Sequence, residues 1–406
     1  MKNRQLFSII LVVFIDLLGF SLILPLLPYY AETFGASEFV TGLLVGSYAV
    51  AQLIGAPILG RLSDRYGRRP VLLASVFGTF AGFLLLGFAN ALWVLFVSRV
   101  IDGLTGGNLS IAQAYITDVT DARNRARGLG MIGAAFGLGF IIGPAAGGVL
   151  SQWGYSVPAL VAAGLSLVNL GLIFFWLTES LAPERRGRVD QRRSAVTFQA
   201  LLGALKRPFT GSLLVTRFVF GVAFATFQTI FALYALSRFG LTAAQTGYIL
   251  AYVGVLSVIT QGFLVGRITG RVREDVLITA CVGLMGLSLA GWALASSVPA
   301  LLLIMIPTAF SGGLLNTLLS STLTKAVDAE ETGGILGLSA SIESATRIIA
   351  PIAGGALLQE AGTWAPGAFG TLLMAGLLIY VWKAIYNHEI IRTLRSIEAD
   401  SFRAVS

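Results

Sequence analysis

Three acids, Asp16, Asp102 and Glu343, and three bases, Arg99, Arg217 and Arg347, lie inside long and otherwise apolar stretches. An ionisable group in hydrocarbon is costly, so it faces a cavity or a partner and marks a pathway. The chemistry open to such groups is reversible protonation and recognition of charge. Asp16 falls about ten residues into the first stretch, about 15 Å deep at ~1.5 Å per residue. Burial disfavours a charged carboxylate, which suits a group that gains and loses a proton or attracts a cation. The plainer reading is a structural hydrogen bond to a neighbouring helix. Arg99 and Asp102 are three apart and share a helix face. Protonation of Asp102 would free Arg99 to repartner; alternatively the two form a static neutral pair. Glu343 and Arg347 are four apart, acid first. They are either a second carboxylate site facing a cavity or a self-neutralising pair. Arg217 enters its stretch from one end and can snorkel to that surface.

Aromatic and amide side chains near these charges are candidates to line a cavity: Tyr48, Gln52, Asn108, Gln113, Tyr115, Phe227, Gln228, Tyr252, Gln261 and Asn316. Such a lining suits a bulky lipophilic solute with few directional contacts. Interhelical hydrogen bonding and interface anchoring are the plainer roles for the same residues.

The elements that must position these residues are membrane spans. The chain is 56% hydrophobic and 12% charged, with mean hydropathy +0.82; soluble domains carry about a quarter charged residues. Apolar runs of about twenty residues cross the hydrocarbon core. Twelve are read here: 6–30, 41–61, 70–89, 91–116, 127–150, 157–178, 210–235, 246–267, 275–296, 299–324, 333–358 and 366–386. The first is too long for a signal-peptide core and reads as a span. The 48 glycines suit close packing of membrane helices. Cys281 is the lone cysteine and His388 the lone histidine, so no disulfide framework, metal site or cofactor is expected. No nucleophile–base–orienter set and no G-x-x-x-x-G-K-[S/T] phosphate loop is present, which argues against an enzyme and against an ATP-driven pump.

The net charge of +8 reflects topology rather than nucleic-acid binding. With the N-terminus inside, 24 of the 28 Lys and Arg fall on cytoplasmic segments. The others are the three intramembrane arginines and Arg238. This bias predicts both termini in the cytoplasm.

The chain also repeats itself. Residues 60–74 resemble 266–280 at an offset of 206, residues 140–150 resemble 347–357 at 207, and Thr41-Gly42 matches Thr246-Gly247 at 205. The offset is half the chain, which predicts an all-α membrane protein of two pseudo-symmetric six-helix bundles. The expected domains are 1–178, a cytoplasmic linker 179–209 holding Pro183, Arg185, Arg186, Arg188, Arg192 and Arg193, a second bundle 210–386, and a cytoplasmic tail 387–406. Paired-half transporters bind cargo near the midplane between the halves.

Two motifs carry a family resemblance. Residues 60–72, GRLSDRYGRRPVL, and 137–150, GLGFIIGPAAGGVL, resemble the loop between spans 2 and 3 and the Gly-Pro-rich fifth span of the major facilitator superfamily, in its twelve-span drug/proton antiporters. Arg99-Val-Ile-Asp-Gly103 resembles the Arg-x-x-Gln-Gly motif of that group, and Asp16 with Pro25 and Pro28 resembles its first span. The nearest likeness is to the tetracycline/proton exporters, over the whole N-terminal half and more loosely beyond it. The resemblance implies that the loop, with Gly60, Asp64, Arg65, Gly67, Arg68 and Arg69, latches the bundles in the outward-open state. By its chemistry alone, Asp64 can meet a helix N-terminus, and the arginines can serve only as topology determinants. In span 5, Gly137, Gly139, Gly143, Gly147 and Gly148 make a small-residue ridge bent at Pro144. It can gate, pack, or both. The chain departs from the tetracycline exporters where they carry acids in spans 3 and 9 and a His in span 8. The matching positions are about Ala81, Met285 and Ser257, which argues against tetracycline itself as cargo.

The expectation is a monomeric secondary transporter of the inner membrane that exports an amphipathic, cationic small molecule or drug in exchange for protons. Protons would bind at Asp16, Asp102 or Glu343. Cargo would meet Asp16, Gln52, Arg99, Asp102, Asn108, Gln113, Arg217, Phe227, Gln228, Glu343 and Arg347. The alternative is an organic-anion or sugar transporter, by symport or uniport, using Arg99, Arg217 and Arg347. A third class is a membrane receptor or scaffold that transports nothing.

Overall fold

A computed structural model describes residues 2–182, 186, 203–328 and 331–386. Most of the expected linker cluster, with Pro183, Arg185, Arg188, Arg192 and Arg193, and the tail with His388, lie outside the described residues. Among those described, eleven helices are long and apolar enough to cross a membrane. They are span 1 (Arg4–Glu32), 2 (Glu38–Tyr66), 3 (Arg68–Gly87), 5 (Arg127–Trp153), 6 (Ser156–Trp176), 7 (Phe209–Phe239), 8 (Ala243–Thr269), 9 (Glu274–Leu294), 10 (Val298–Lys325), 11 (Thr332–Ala361) and 12 (Ala365–Tyr386). Span 4 is the twelfth crossing. It is broken into Leu92–Leu104 and Asn108–Val119.

Local chemistry sets the ends and bends. Ser37, Asp121 and Ser297 accept hydrogen bonds from the backbone of Val40, Asn124 and Ala300 and so cap spans 2, 5 and 10. Pro25 and Pro28 interrupt span 1, where a short 3₁₀ turn over Leu24–Leu26 separates its two helical pieces. In span 4 the break falls at Thr105-Gly106-Gly107. Peptide groups freed inside a membrane must find partners. Gln52 Nε2 donates to the Gly106 carbonyl at 3.0 Å, and the Ser75 hydroxyl donates to the Thr105 carbonyl. Gly55 and Gly78 let spans 2 and 3 press against this break, since a Cβ on either would overlap Leu104 or Thr105.

The chain divides into two compact units. One takes in Met1–Arg193, Thr229–Val255 and Pro351–Thr363; the other takes in Ser194–Gln228, Leu256–Ala350 and Trp364–Ser406. In the first, span 1 packs on spans 5 and 6, span 3 on spans 4 and 6, and span 2 on span 4. Apolar clusters form there on Ile9, Leu72, Ile111 and Tyr115, on Leu22, Leu44, Phe83 and Leu95, and, smaller, on Leu26, Tyr29, Ala232 and Ala243. In the second unit, span 9 packs on spans 10 and 12.

Candidate functional site

In the first unit a polar chain crosses four helices. Asn108 opens the second half of span 4, so its side chain sits at the break. Its Nδ2 donates to Asp16 Oδ1 on span 1 at 2.7 Å and lies 3.4 Å from the Thr79 hydroxyl on span 3. Thr79 in turn lies beside the Asp102 carboxylate and interacts with it. Asp102 pairs with Arg99 Nη1 at 3.2 Å, and the Arg99 guanidinium lies over the Phe83 ring at 5.4 Å. Gly82 makes the crossing possible, because a Cβ there would stand 3.0 Å from that of Asp102. Thr79, Arg99, Asp102 and Asn108 are buried, while Asp16 is half-buried. The Arg99 Nη2 and Asn108 Oδ1 atoms are buried without a protein hydrogen-bond partner. Two carboxylates and one guanidinium thus share one network. Fully ionised it carries one net negative charge; a single proton neutralises it.

The second unit holds a different arrangement. Glu343 on span 11 accepts from Arg347 Nη2 at 2.7 Å and from Arg217 Nη2 of span 7 at 3.3 Å. Arg217 Nη1 also donates to the Ser320 hydroxyl of span 10 at 3.1 Å. Arg217 therefore has an inward partner rather than snorkelling free, and this cluster carries one net positive charge.

The other expected lining residues are scattered. Gln52 and Tyr48 bond each other at 3.0 Å, and Gln52 is committed to the span 4 break. Phe227 is buried, edge-on to Trp292, and Tyr115 is buried with its hydroxyl donating to the Thr178 carbonyl. Gln113, Gln228, Gln261 and Asn316 are exposed, and Tyr252 is half-buried.

The loop between spans 2 and 3 is bound within the first unit. Arg68 pairs with Asp64 at 2.6 Å and with Asp118, at the end of span 4, at 3.1 Å. The span 3 N-terminus is met by Glu179, while Asp64 pairs with the Arg68 side chain. The Glu179 carboxylate accepts from the backbone of Arg68 and Arg69 at 2.9 and 3.2 Å, a site where the helix dipole favours an anion. Gly67, at φ 111°, turns the chain, and any side chain there would strike Glu179. Gly60 has nothing within 4 Å of where a Cβ would stand. Arg69 donates to the Phe174 carbonyl, and exposed Arg65 lies over Tyr66. Sequence reasoning missed Thr79, Asp118 and Glu179.

The span 5 ridge is in close contact at Gly143, Gly147 and Gly148 and in ordinary contact at Gly139. A Cβ on Gly143 or Gly147 would overlap Ser21 or the Leu22 carbonyl of span 1, and one on Gly148 would lie 2.9 Å from Ala244 Cα of span 8. Two crossings in this unit mirror each other. A Cβ on Gly42 would overlap the Pro351 carbonyl and lie 3.4 Å from Gly355 Cα; one on Gly247 would overlap the Pro144 carbonyl and lie 3.3 Å from Gly148 Cα. Beside them, the Tyr29 hydroxyl bonds Thr246 and the Leu241 carbonyl.

Comparison with known proteins places this geometry. The Major Facilitator Superfamily profile matches residues 9–351. The chain is 33% identical over 374 residues to a class C tetracycline resistance protein of Escherichia coli, covering 89% of this chain and 92% of that one. It is 31% identical over 367 residues to mouse solute carrier family 22 member 18, covering 88% and 90%. Among solved structures, the human organic anion transporter MFSD10 (TETRAN) shares the fold at a TM-score of 0.69 and 22% identity, over 94% of this chain and 99% of that one. The twelve crossings, the half-chain repeat and these full-length matches together make this chain a member of the Major Facilitator Superfamily, a multi-span membrane transporter and not an enzyme.

Proposed function

We propose that this protein exports an amphipathic small molecule from the cytoplasm in exchange for protons by alternating access, with both termini on the cytoplasmic side. The observation that supports it best is the chain Asp16–Asn108–Thr79–Asp102–Arg99. An excess carboxylate in a membrane interior is costly unless it is neutralised. A proton or a cationic group of the cargo can neutralise it, and the two compete because there is one charge to cancel. That competition is what exchange needs. Asp16 is the less buried end of the chain and Asp102 the more buried one. In this reading a proton reaches Asp16 first, and Asn108 and Thr79 relate its state to Arg99. One charge moved through 100 mV is worth ~2.3 kcal/mol, enough to drive cargo uphill. The mirrored glycine crossings at Gly42 and Gly247 serve in this reading as the closed gate at the outer end. The relatives named for tetracycline resistance lend support to export of a drug-like molecule.

The test is transport in proteoliposomes with an imposed pH gradient. Asp16→Asn is expected to abolish gradient-driven accumulation of the cargo while leaving cargo–cargo exchange intact. Full accumulation by that variant would remove Asp16 from proton coupling. Absence of exchange by the unaltered protein across a broad cargo panel would remove the transport direction and partner proposed here.

A further inference from the structure

We propose that Arg217, Ser320 and Arg347 form a binding site for the anionic group of an amphipathic cargo, a carboxylate or sulfonate, with Glu343 as the resident anion that the cargo displaces. The argument begins with position. Arg347 is the sixteenth of the 30 residues of its helix, Thr332–Ala361, so it stands at mid-helix, far from either headgroup layer. A lipid phosphate does not reach that depth. The Arg347 side chain is nevertheless 50% exposed and that of Glu343 is 42% exposed. A half-exposed guanidinium at that depth does not face acyl chains, because the cost is prohibitive; it faces a water-filled space.

Charge gives the second step. Two guanidiniums share one carboxylate, and each guanidinium carries five N–H donors. Arg217 uses Nη2 on Glu343 and Nη1 on Ser320, while its buried Nε has no partner. Arg347 reaches Glu343 through Nη2 at 2.7 Å. The cluster is one negative charge short of neutrality and has donors to spare, arranged in forks that match a planar carboxylate or a sulfonate. Arg99 is the instructive contrast. Its side chain is 2% exposed, it is paired with Asp102, and it lies over Phe83. It therefore belongs with the acids of its own network, and of the three intramembrane arginines only Arg217 and Arg347 contribute to the anion site.

This deepens the transport reading by naming a charge that the cargo carries, and it rests on that reading only for the step across the membrane. A purely cationic drug has no use for the site, whereas an amphipathic anion or a zwitterion does. The experiment is titration calorimetry on the full chain in lipid nanodiscs, with 2-naphthoate as the anionic probe and tetraphenylphosphonium as the cationic one. Arg347→Gln is expected to weaken 2-naphthoate about tenfold, as befits one lost charged hydrogen bond, and to leave tetraphenylphosphonium unchanged. Glu343→Gln is expected to strengthen 2-naphthoate several-fold, a gain that misfolding cannot produce. Arg347→Lys keeps the charge without the fork and is expected to fall between. The proposal is overturned if the unaltered protein does not bind 2-naphthoate, if Arg347→Gln binds it as before, or if Glu343→Gln weakens it. Anion binding is read without a pH gradient. It therefore stands or falls separately from the Asp16 transport test.

Discussion

Two ties near the starts of spans 3 and 9 occupy corresponding places in the repeat and carry opposite polarity. In the first unit Arg68, opening span 3, pairs with Asp118 at the end of span 4. In the second, Glu274, opening span 9, pairs with Lys325 at the end of span 10 at 2.7 Å. The sequence offsets are 206 and 207. Each tie is reinforced, Arg68 by Asp64 and Ser63 and Glu274 by the hydroxyls of Ser321 and Thr322. Duplication has therefore kept the join between consecutive helices while its sign reversed. The mid-membrane charges behave differently. The positions 206 residues beyond Asp16, Arg99 and Asp102 hold Val222, Met305 and Thr308; those 207 before Glu343 and Arg347, the offset of that stretch, hold Phe136 and Phe140. The join between consecutive helices is repeated, and the mid-membrane charges are not.

The comparison can be broken or sharpened by substitution, in falling order of effect. Arg99→Gln leaves Asp102 buried and unpaired, which should cost ~3–5 kcal/mol. Thermal unfolding in nanodiscs should show a large drop, and adding Asp102→Asn should recover most of it. Next, Arg68→Glu sets three carboxylates together and should cost about 3 kcal/mol. If sign is free at this join, adding Asp118→Lys recovers at least half; no recovery would show that polarity matters in the first unit after all. Third, Gly42→Leu and Gly247→Leu should each loosen the mirrored crossings and raise maleimide labelling of an A243C probe in a C281S background. A response to only one of them would mean that the crossings are not equivalent. Smallest is Glu274→Gln. Lys325 is 66% exposed at its side chain, and such surface pairs contribute no more than about 1 kcal/mol, so unfolding should barely shift.

Hydropathy made the crossings legible, because lipid leaves the backbone few alternatives, and the half-chain repeat did the same for the two-fold organisation. The Arg99–Asp102 and Glu343–Arg347 pairs were legible from helical spacing. Arg217–Glu343 was not, since 126 residues separate the partners and no periodicity joins them. Thr79 carries no charge and gave no signal, although it stands between Asn108 and Asp102. Asp118 and Glu179 fell at span ends and passed for boundary residues. Gly106-Gly107 was the available sign that span 4 is divided, but glycine is so frequent here that a pair of them did not stand out. Gln52 shows the converse: an amide inside a span invites a solute-binding role, yet its nearest duty is to the carbonyl freed at that division.

The division of span 4 has an electrical consequence. An unbroken helix would present its electropositive end at the membrane surface. Here a fresh helix begins at Asn108, deep in the membrane, and Asn108 touches Asp16. Roughly half an elementary charge resides at such an end. The interruption therefore sets the electropositive end of a helix beside the Asp16 carboxylate, without the need for another arginine.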